Sequence, residues 1–293
     1  KVRCRAEGRG DPPVSAGITL RCATPADAPR MQDLWRRCFG DEQAYLDLCF
    51  DQGNAVSHGM LLEAEGAVQS MLLVFSQEMT LPEGDSVPMW YVYAFCTHPD
   101  GQSRGYGRTL LAWTEAEGRK AGAKAVVMVP GEPSLFRFYE SLGYETACFT
   151  WETRISRESI TPPRQAAERC DAATYQVLRE AFLQGASHVS YPLESLCWQK
   201  MLCDASGGGL FRIGDGVAAA ECWGGSVILK ELLSCQQAEA AQAVLTALHA
   251  DCALVRTVLP GTPKPFGVMQ WLDKEAQRRW NQGQSRYLAL AFD

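Results

Sequence analysis

The sequence has few of the residues that build metal sites. It contains only four histidines, and its twelve cysteines are scattered through 293 residues without a Cys-x-x-Cys pair. A zinc site needs several such ligands at close and regular spacing, so we expect no metal cofactor. The cysteine density is also well below that of disulfide-stabilised scaffolds. We therefore expect reduced, mostly buried thiols and a cytoplasmic location.

Long apolar runs and an excess of positive charge are also absent. No apolar run approaches the roughly 18 residues of a transmembrane helix, and the amino-terminal residues lack the apolar segment of a secretory signal. The 34 Asp and Glu residues outnumber the 28 Lys and Arg residues, which gives a net charge of −6. This balance argues against an electrostatic nucleic-acid surface. We expect neither a nucleic acid nor a membrane as a partner.

What the composition does contain is typical of a folded globular protein. Hydrophobic residues make up 46% and charged residues 21% of the chain, which excludes disordered, collagen-like and coiled-coil classes. The length allows one large domain or two ordinary ones.

The order of predicted elements indicates two α/β domains. Through residue 155 the order is β-α-α-β-β-β-α-β-α-β, which predicts a mixed, mostly antiparallel sheet flanked by helices. We predict a flexible arm at 1–16, a domain at 17–155, a linker at 156–167 and a second domain at 168–293. The second domain repeats the element order of the first, so we infer an internal duplication.

Two predictions at the end of the second domain matter for the fold. Residues 265–277 are predicted to be helical, and residues 286–293 are predicted to form a terminal strand. The second domain's Trp198, Met201, Trp223, Met269 and Trp271 either belong to the core or shape a cleft between the domains.

The segment from Cys96 to Leu111 holds the most informative motif. A predicted strand ends at Thr97, and a helix begins near Gly105. The N–H groups of residues 103–108 would converge at that helix N-terminus, where partial positive charge favours phosphate. The pattern fits neither a Walker loop, which needs Gly-Lys-Ser/Thr, nor a dinucleotide fingerprint.

Gln102-Ser-Arg-Gly-Tyr-Gly107 resembles the Q/R-x-x-G-x-G/A motif of the GNAT superfamily of acyl-CoA-dependent N-acetyltransferases. A second stretch, Phe138-Tyr-Glu-Ser-Leu-Gly-Tyr144, is similar to the family's F-Y-E-x-x-G-F/Y signature. The resemblance covers residues 17–155. It extends to 168–293 as element order alone, because that part has no glycine-rich loop.

The resemblance implies acetyl-CoA as co-substrate, held in a V-shaped opening between the strand that ends at Thr97 and the strand at 124–129. Its pantetheine would pair with backbone of the first strand, and its pyrophosphate would lie on the glycine loop. The residues assigned to acetyl-CoA in this way are Phe95, Cys96, Thr97, Gln102, Ser103, Arg104, Gly105, Tyr106, Gly107, Arg108, Ser134 and Phe138.

The resemblance also implies direct attack of a primary amine on the thioester. Backbone N–H groups near Phe95 or Cys96 would hold the oxyanion, and Tyr139 matches the family's general acid for the departing thiolate. Tyr139 has an alternative interpretation as a core aromatic residue beside Phe136 and Phe138.

Three further points stay open. The asparagine frequent at the end of the family's fifth strand is replaced by residues 130–134, which makes Ser134 a candidate only. Cys96 is either a nucleophile or a small buried strand residue, and His98 is either a base or a solvated loop residue. No general base stands out.

The chain also resembles the first two domains of the enhanced-intracellular-survival acetyltransferases, whose third domain is absent here. By that analogy the terminal carboxylate of Asp293 would reach the first site. We expect a small-molecule amine as acceptor; the acidic chain would suit cationic amines such as polyamines or aminoglycosides, and peptide N-termini and small amino compounds are equally open. A homo-oligomer, a non-catalytic acyl-CoA sensor and a transferase for larger acyl or aminoacyl donors remain open.

Overall fold

The computed structural model describes residues 17–157, 163–223, 226–258, 263–283 and 285–292. The predicted arm at 1–16, part of the predicted linker, the side chain of Trp223 and the terminal Asp293 lie outside these described residues. In the described part no helix is long and apolar enough to cross a membrane.

The first half contains six strands and four helices. They are β1 (Ile18–Cys22), α1 (Ala28–Phe39), α2 (Gln43–Asp47), β2 (Gly59–Ala64), β3 (Ala67–Thr80), β4 (Ser86–Thr97), α3 (Tyr106–Lys120), β5 (Ala125–Met128), α4 (Pro133–Glu140) and β6 (Glu145–Ser156). This order matches the predicted one.

The second half contains seven strands and four helices among its described residues. They are β7 (Glu168–Arg169), α5 (Ala172–Phe182), β8 (His188–Ser190), α6 (Leu193–Ala205), β9 (Gly209–Ile213), β10 (Gly216–Trp223), β11 (Ser226–Leu233), α7 (Gln237–Ala247), β12 (Cys252–Thr257), β13 (Lys264–Trp271) and α8 (Lys274–Gln282).

Helix α1 shows how local sequence starts and ends the elements that border the site. A single turn at Pro25–Asp27 precedes it, and the Asp27 carboxylate accepts hydrogen bonds from the N–H and the hydroxyl of Thr24, both at 2.8 Å. Gly40 ends the helix in the left-handed conformation, with φ of 76°. Met31, Leu34 and Trp35 are buried against the sheet at helical spacing.

The strands form one sheet system in the order β1-β2-β3-β4-β5-β13-β6-β12-β11-β10-β9-β7, and β8 pairs with β3. The β4–β5 and β11–β12 pairs are parallel, whereas the other pairs are antiparallel. The predicted fold class, a mixed and mostly antiparallel sheet flanked by helices, is confirmed.

The two halves exchange strands. Strand β13 of the second half lies between β5 and β6 of the first half. Strand β6 continues across both halves: residues 145–150 pair with β13, and residues 151–156 pair with β12. The sheet of each half is therefore completed by the other half.

The two predictions at the carboxyl end were wrong. Residues 264–271 form strand β13, because they are enclosed between β5 and β6, and the helix begins only at Lys274. The Asp273 carboxylate caps that helix by accepting the Ala276 N–H at 2.9 Å. Residues 285–292 form no strand; they run as an extended buried segment with single bridges from Tyr287 to Phe149 and to His188. Residues 287–292 are fully buried, and side chains of Tyr191 and Gln199 rather than a neighbouring strand bind the carbonyls of Leu290 and Ala291.

Candidate functional site

The predicted V-shaped opening is present between β4 and β5. The strands pair from Trp90 to Val92 against Val126 to Met128 and then diverge. At the point of divergence β4 carries a bulge, in which Ala94 and Phe95 both stand opposite Leu72 of β3. Ala94 has a φ of +49°, an unusual conformation for a residue with a side chain. The bulge bends β4 away from β5 and opens a cleft.

The cleft has a volume of about 380 Å³. Strand β4, helix α4 and the segment after β5 contribute one part of its wall, and α1 and α2 contribute the other. Its lining residues are Trp35, Phe39, Asp41, Tyr45, Tyr91, Val92, Tyr93, Ala94, Phe95, Met128, Val129, Gly131, Leu135 and Tyr139. Tyr139 and Phe95 thus lie in one cleft, as the sequence predicted.

Tyr139 is buried, with 7% of its surface exposed. Its ring contacts the rings of Phe138 and Tyr144, so the core-aromatic interpretation also describes its surroundings. Burial raises the pKa of its hydroxyl to about 12. The phenol is therefore protonated throughout the physiological pH range and can act as a hydrogen-bond donor in the cleft.

The glycine loop forms a helix N-terminus beside β4. Ser103 and Gly105 both have positive φ, 64° and 82°, and α3 begins at Tyr106 without a side-chain cap. The first-turn N–H groups have no intrahelical acceptor and are oriented to bind an anion. Gly107 has a packing role, because a Cβ there would lie 2.9 Å from the Phe95 ring and 3.0 Å from the Thr97 hydroxyl.

The charged and polar side chains of this loop differ in their partners and in their exposure to solvent. The Arg104 guanidinium binds the Glu65 carboxylate through two contacts and lies over the Tyr106 ring. Arg108 and Gln102 are exposed, whereas Tyr106 is buried in the core. The loop therefore offers backbone N–H groups and the Arg108 charge, while Glu65 neutralises Arg104.

The contacts of Cys96 and His98 favour structural roles for both residues. The Cys38 thiol and burial raise the pKa of the Cys96 thiol well above its ordinary value, which disfavours the nucleophilic thiolate. The Ser70 hydroxyl donates to the Cys96 carbonyl at 2.8 Å and lies 3.0 Å from the Thr97 hydroxyl. His98 accepts the Asp100 N–H at its Nδ1, at 3.2 Å, and so caps the turn after β4.

Of the predicted site residues, Phe95 and Tyr139 line the cleft and the others do not, Phe138 and Ser134 among them. Phe138 points away, with 43% of its surface exposed. Ser134 is exposed, and its hydroxyl donates to the Glu132 carboxylate at 3.1 Å. The second half's Met and Trp side chains that the structure describes do not line the cleft either.

Sequence reasoning missed the aromatic wall of the cleft. The Trp35 indole N–H donates to the Asp41 carboxylate at 2.7 Å, and the hydroxyls of Tyr45 and Tyr93 are 2.8 Å apart. The Trp35 and Tyr93 rings meet edge to face, with centroids 5.6 Å apart. The available signal was the i,i+4 spacing of Trp35 and Phe39 on α1, which resembles that of any core helix.

The carboxyl-terminal segment reaches the back of this wall. The Phe292 ring packs against Tyr91 and Tyr93, at centroid distances of 5.1 and 5.7 Å. The Tyr191 hydroxyl donates to the Leu290 carbonyl at 2.7 Å, and the Gln199 amide donates to the Ala291 carbonyl at the same distance. Helix α6 and Tyr191, which precedes it, therefore hold the last described residues against the aromatic wall of the cleft.

The second half has a counterpart of this parallel strand pair. Strands β11 and β12 pair from Val227 to Leu229, and Lys230 is then the additional residue of a bulge in β11. The residues that follow on β11 are buried, and the Thr257 hydroxyl donates to the Leu232 carbonyl at 2.8 Å, which links the two strands beyond the bulge.

Comparison with known proteins identifies the first half. A family model described as the acetyltransferase (GNAT) domain matches residues 19–147. This segment is a GNAT domain. The GNAT family is one of acetyltransferases, so the match supports acyl transfer from an acyl-CoA. No curated protein is similar enough in sequence to count as a relative.

Solved structures extend the likeness of fold beyond the GNAT domain. A GCN5-related N-acetyltransferase from Kribbella flavida is 18% identical, with a TM-score of 0.68 over 88% of this chain and 72% of that chain. Eis1 from Mycobacterium abscessus is 14% identical, with a TM-score of 0.64 over 88% of this chain and 75% of that chain. A similar protein from Anabaena variabilis has a TM-score of 0.69 at 16% identity, covering 88% of this chain and 73% of that chain. Both halves thus share the fold of these chains.

Among the described residues, no group of three or more His, Cys, Asp or Glu side chains is arranged to hold a metal ion.

Proposed function

We propose that the protein is an N-acetyltransferase that moves the acetyl group of acetyl-CoA to a primary amine in the cleft of the GNAT domain. The observation that carries this proposal is the meeting of three features: the β4 bulge, the uncapped N-terminus of α3 and the protonated Tyr139. Residues 17–155 would bind acetyl-CoA, and residues 168–293 would complete the fold and the acceptor side.

In this proposal the diphosphate lies on the first turn of α3, and the thioester lies beside the bulge at Ala94 and Phe95. The amine attacks the thioester carbonyl, and a tetrahedral oxyanion forms next to backbone N–H groups of the bulge. Tyr139 then donates its proton to the departing thiolate. The raised pKa makes the Tyr139 phenol a weaker acid. The same apolar cleft also raises the basicity of the departing thiolate, so the proton transfer is still favoured.

The acceptor amine would lie against the aromatic wall. Trp35, Tyr91 and Tyr93 line the cleft, and the faces of such rings attract ammonium groups. Asp41, held by the Trp35 indole, contributes a carboxylate to the same wall. A cationic amine suits this combination better than a neutral or anionic acceptor.

The amine must lose a proton before it attacks, and a carboxylate of Asp293 is a candidate base. The support is the position of its neighbour, because Phe292 packs on the tyrosines that line the cleft. Asp293 itself lies outside the described residues. A base role for it is therefore tested by removal of that residue alone.

Two other functions make different predictions. A non-catalytic sensor would bind acetyl-CoA without turnover, and a transferase for larger acyl or aminoacyl donors would prefer a larger donor. The open cleft of about 380 Å³ has room for the acetyl thioester together with a small amine.

The test combines binding with turnover. Calorimetric titration with acetyl-CoA should give one site per chain, because the sequence of the second half has no glycine-rich loop. Free thiol release, measured with a panel of cationic amines, should show turnover. Tyr139→Phe should lower kcat by about 10²- to 10³-fold and change the acetyl-CoA affinity by less than about twofold.

Tyr144→Phe is the matched control for that variant. Its hydroxyl donates to Glu115 at 3.1 Å, and its ring packs against Tyr139 but does not line the cleft. Binding without thiol release for any amine would favour the sensor. No binding at millimolar acetyl-CoA would refute the proposal.

A further inference from the structure

Two cysteine thiols meet where helix α1 packs against the end of strand β4. Cys38 lies in the last turn of α1, and its thiol donates to the Thr97 carbonyl at 3.4 Å. Cys96 precedes Thr97 on β4, and its thiol is hydrogen-bonded to that of Cys38. Cys96 belongs to the core cluster against which Cys38 packs. The helix and the strand are therefore in contact at this point through a pair of thiols.

The two thiols differ in their accessibility and in their acidity. Cys38 is half-buried, and the hydrogen bond from Cys96 lowers the pKa of its thiol. Cys96 is buried, and its pKa is raised. Burial also raises the pKa of the thiols of Cys49, Cys148 and Cys203. A partly exposed thiol of lowered pKa beside a second thiol is the arrangement that hydroperoxides oxidise selectively.

We propose that Cys38 and Cys96 form a peroxide-sensitive pair, whose oxidation to a disulfide narrows the cleft of the GNAT domain. The inference assigns a modification site that takes a hydroperoxide as its oxidant. Cys38 is the thiol that is oxidised first, because solvent reaches it, and Cys96 is the thiol that resolves the intermediate.

The chemistry takes place in two steps. The Cys38 thiolate attacks one oxygen of the peroxide, so that an S–O bond forms, the O–O bond breaks and hydroxide leaves. The Cys96 sulfur then attacks the sulfur of this sulfenic acid: an S–S bond forms, the S–O bond breaks, and the departing hydroxide takes the Cys96 proton and leaves as water. The two thiols supply the two electrons that reduce the peroxide, and a dithiol reductant returns them.

The disulfide acts on the cleft through the neighbours of the two cysteines. Phe39 follows Cys38 on α1, Phe95 precedes Cys96 on β4, and both phenylalanines line the cleft. A covalent S–S bond holds two sulfur atoms much closer than a hydrogen bond does, so its formation draws α1 toward β4. It also removes the hydrogen that Cys38 donates to the Thr97 carbonyl. The oxidised protein should bind acetyl-CoA about tenfold more weakly, and this part of the inference rests on the proposed function.

The experiment treats the full reduced chain with hydrogen peroxide and uses two readouts. Mass spectrometry of unreduced peptides should find Cys38 linked to Cys96. Calorimetric titration should show the tenfold loss of acetyl-CoA affinity. Dithiothreitol should reverse both changes.

Three variants assign the effect to this pair. Cys38→Ser keeps a donor for the Thr97 carbonyl, so its acetyl-CoA affinity should stay within about twofold of the native value, both before and after peroxide. In Cys96→Ala the oxidation of Cys38 should stop at the sulfenic acid, which a cyclic 1,3-dione reagent traps. Cys197→Ser is the matched control, because Cys197 is an exposed cysteine on α6 and its removal should leave the full response.

The outcomes separate this inference from the proposed function. The absence of a Cys38–Cys96 linkage overturns the inference, as does a loss of affinity that persists in Cys38→Ser. A linkage that forms while acetyl-CoA affinity stays unchanged refutes the narrowing of the cleft. If the reduced protein does not bind acetyl-CoA, the acetyltransferase proposal fails, and the linked peptide alone decides whether the thiol pair is redox-active.

Discussion

The two parallel strand pairs of this protein, β4–β5 and β11–β12, begin alike and end differently. Each pair runs together for three residues, and each is then interrupted by a bulge in the leading strand. In the first half the bulge carries Ala94 and Phe95, and a cleft follows. In the second half it carries Lys230, which forms a buried ion pair with Glu221 of β10, and the Thr257 hydrogen bond links β12 to β11 beyond the bulge.

The difference between the two pairs lies in the residues at each bulge and in the helix that follows the leading strand. Both halves have the divergence, but the first half has small and aromatic residues at its bulge and a glycine-rich helix start. The second half has Lys230 and Glu231 there, each buried with an opposite charge. Because these charges are buried as ion pairs, an opening beside them would partly solvate them and disrupt the ion-pair geometry.

The largest expected effect concerns the buried ion pair of Arg179 and Glu231 in the second half. Arg179 and Glu231 are fully buried and lie 2.9 Å apart, and Tyr175 also donates to this carboxylate at 2.6 Å. Arg179→Met should lower the free energy of unfolding in urea by about 3–5 kcal/mol, because it leaves a buried charge without its partner.

Adding Glu231→Gln should recover at least half of that loss. The exposed pair of Arg278 and Glu275 provides the control, and Arg278→Met should cost less than about 1 kcal/mol. A small effect of Arg179→Met would mean that apolar packing, rather than this ion pair, stabilises the second half.

The next largest effect concerns the packing of Gly107 on α3 against β4 in the first half. Gly107→Val would place side-chain atoms within van der Waals distance of Phe95 and Thr97 and push α3 from β4. Overpacking of this kind costs about 1–3 kcal/mol, so acetyl-CoA affinity should fall by about 10- to 100-fold. Ala112→Val, an exposed change on the same helix, should leave it unchanged. An unaltered affinity for Gly107→Val would mean that acetyl-CoA does not depend on this contact.

A third prediction concerns the titration of the cleft phenol. Burial raises the pKa of Tyr139 to about 12, so its protonated form should persist as pH rises past the ordinary tyrosine value of about 10. The ultraviolet absorbance difference between the native protein and Tyr139→Phe should therefore show no phenolate up to about pH 11. A midpoint near 10 would show that the cleft is wetter than its structure implies.

The smallest expected effect concerns Arg104. Because Glu65 neutralises this guanidinium, Glu65→Gln should free it for the diphosphate and raise acetyl-CoA affinity by about twofold. The gain should shrink with added salt, since both side chains are largely exposed. A loss of affinity would indicate that Glu65 orients Arg104 toward the ligand.

Sequence reasoning succeeded where local chemistry decides the structure. The first-half elements and the helix start at Gly105 follow from short-range patterns, whereas the placement of Tyr139 beside β4 and β5 came from the family resemblance. Strand β13 was missed because Pro265, Phe266 and Gly267 show no strand period, and partners far away in sequence define it. The aromatic wall and the contact of Cys38 with Cys96 were missed because they join α1 or α2 to residues remote in the chain.

The position of β13 has a consequence for synthesis of the chain. Until residues 264–271 leave the ribosome, β5 and β6 each present an unpaired edge, although the rest of the GNAT domain has already been made. Free edges of this kind invite pairing with other chains. The protein therefore completes its first domain last, and a stalled or truncated chain would be exposed to aggregation at this gap.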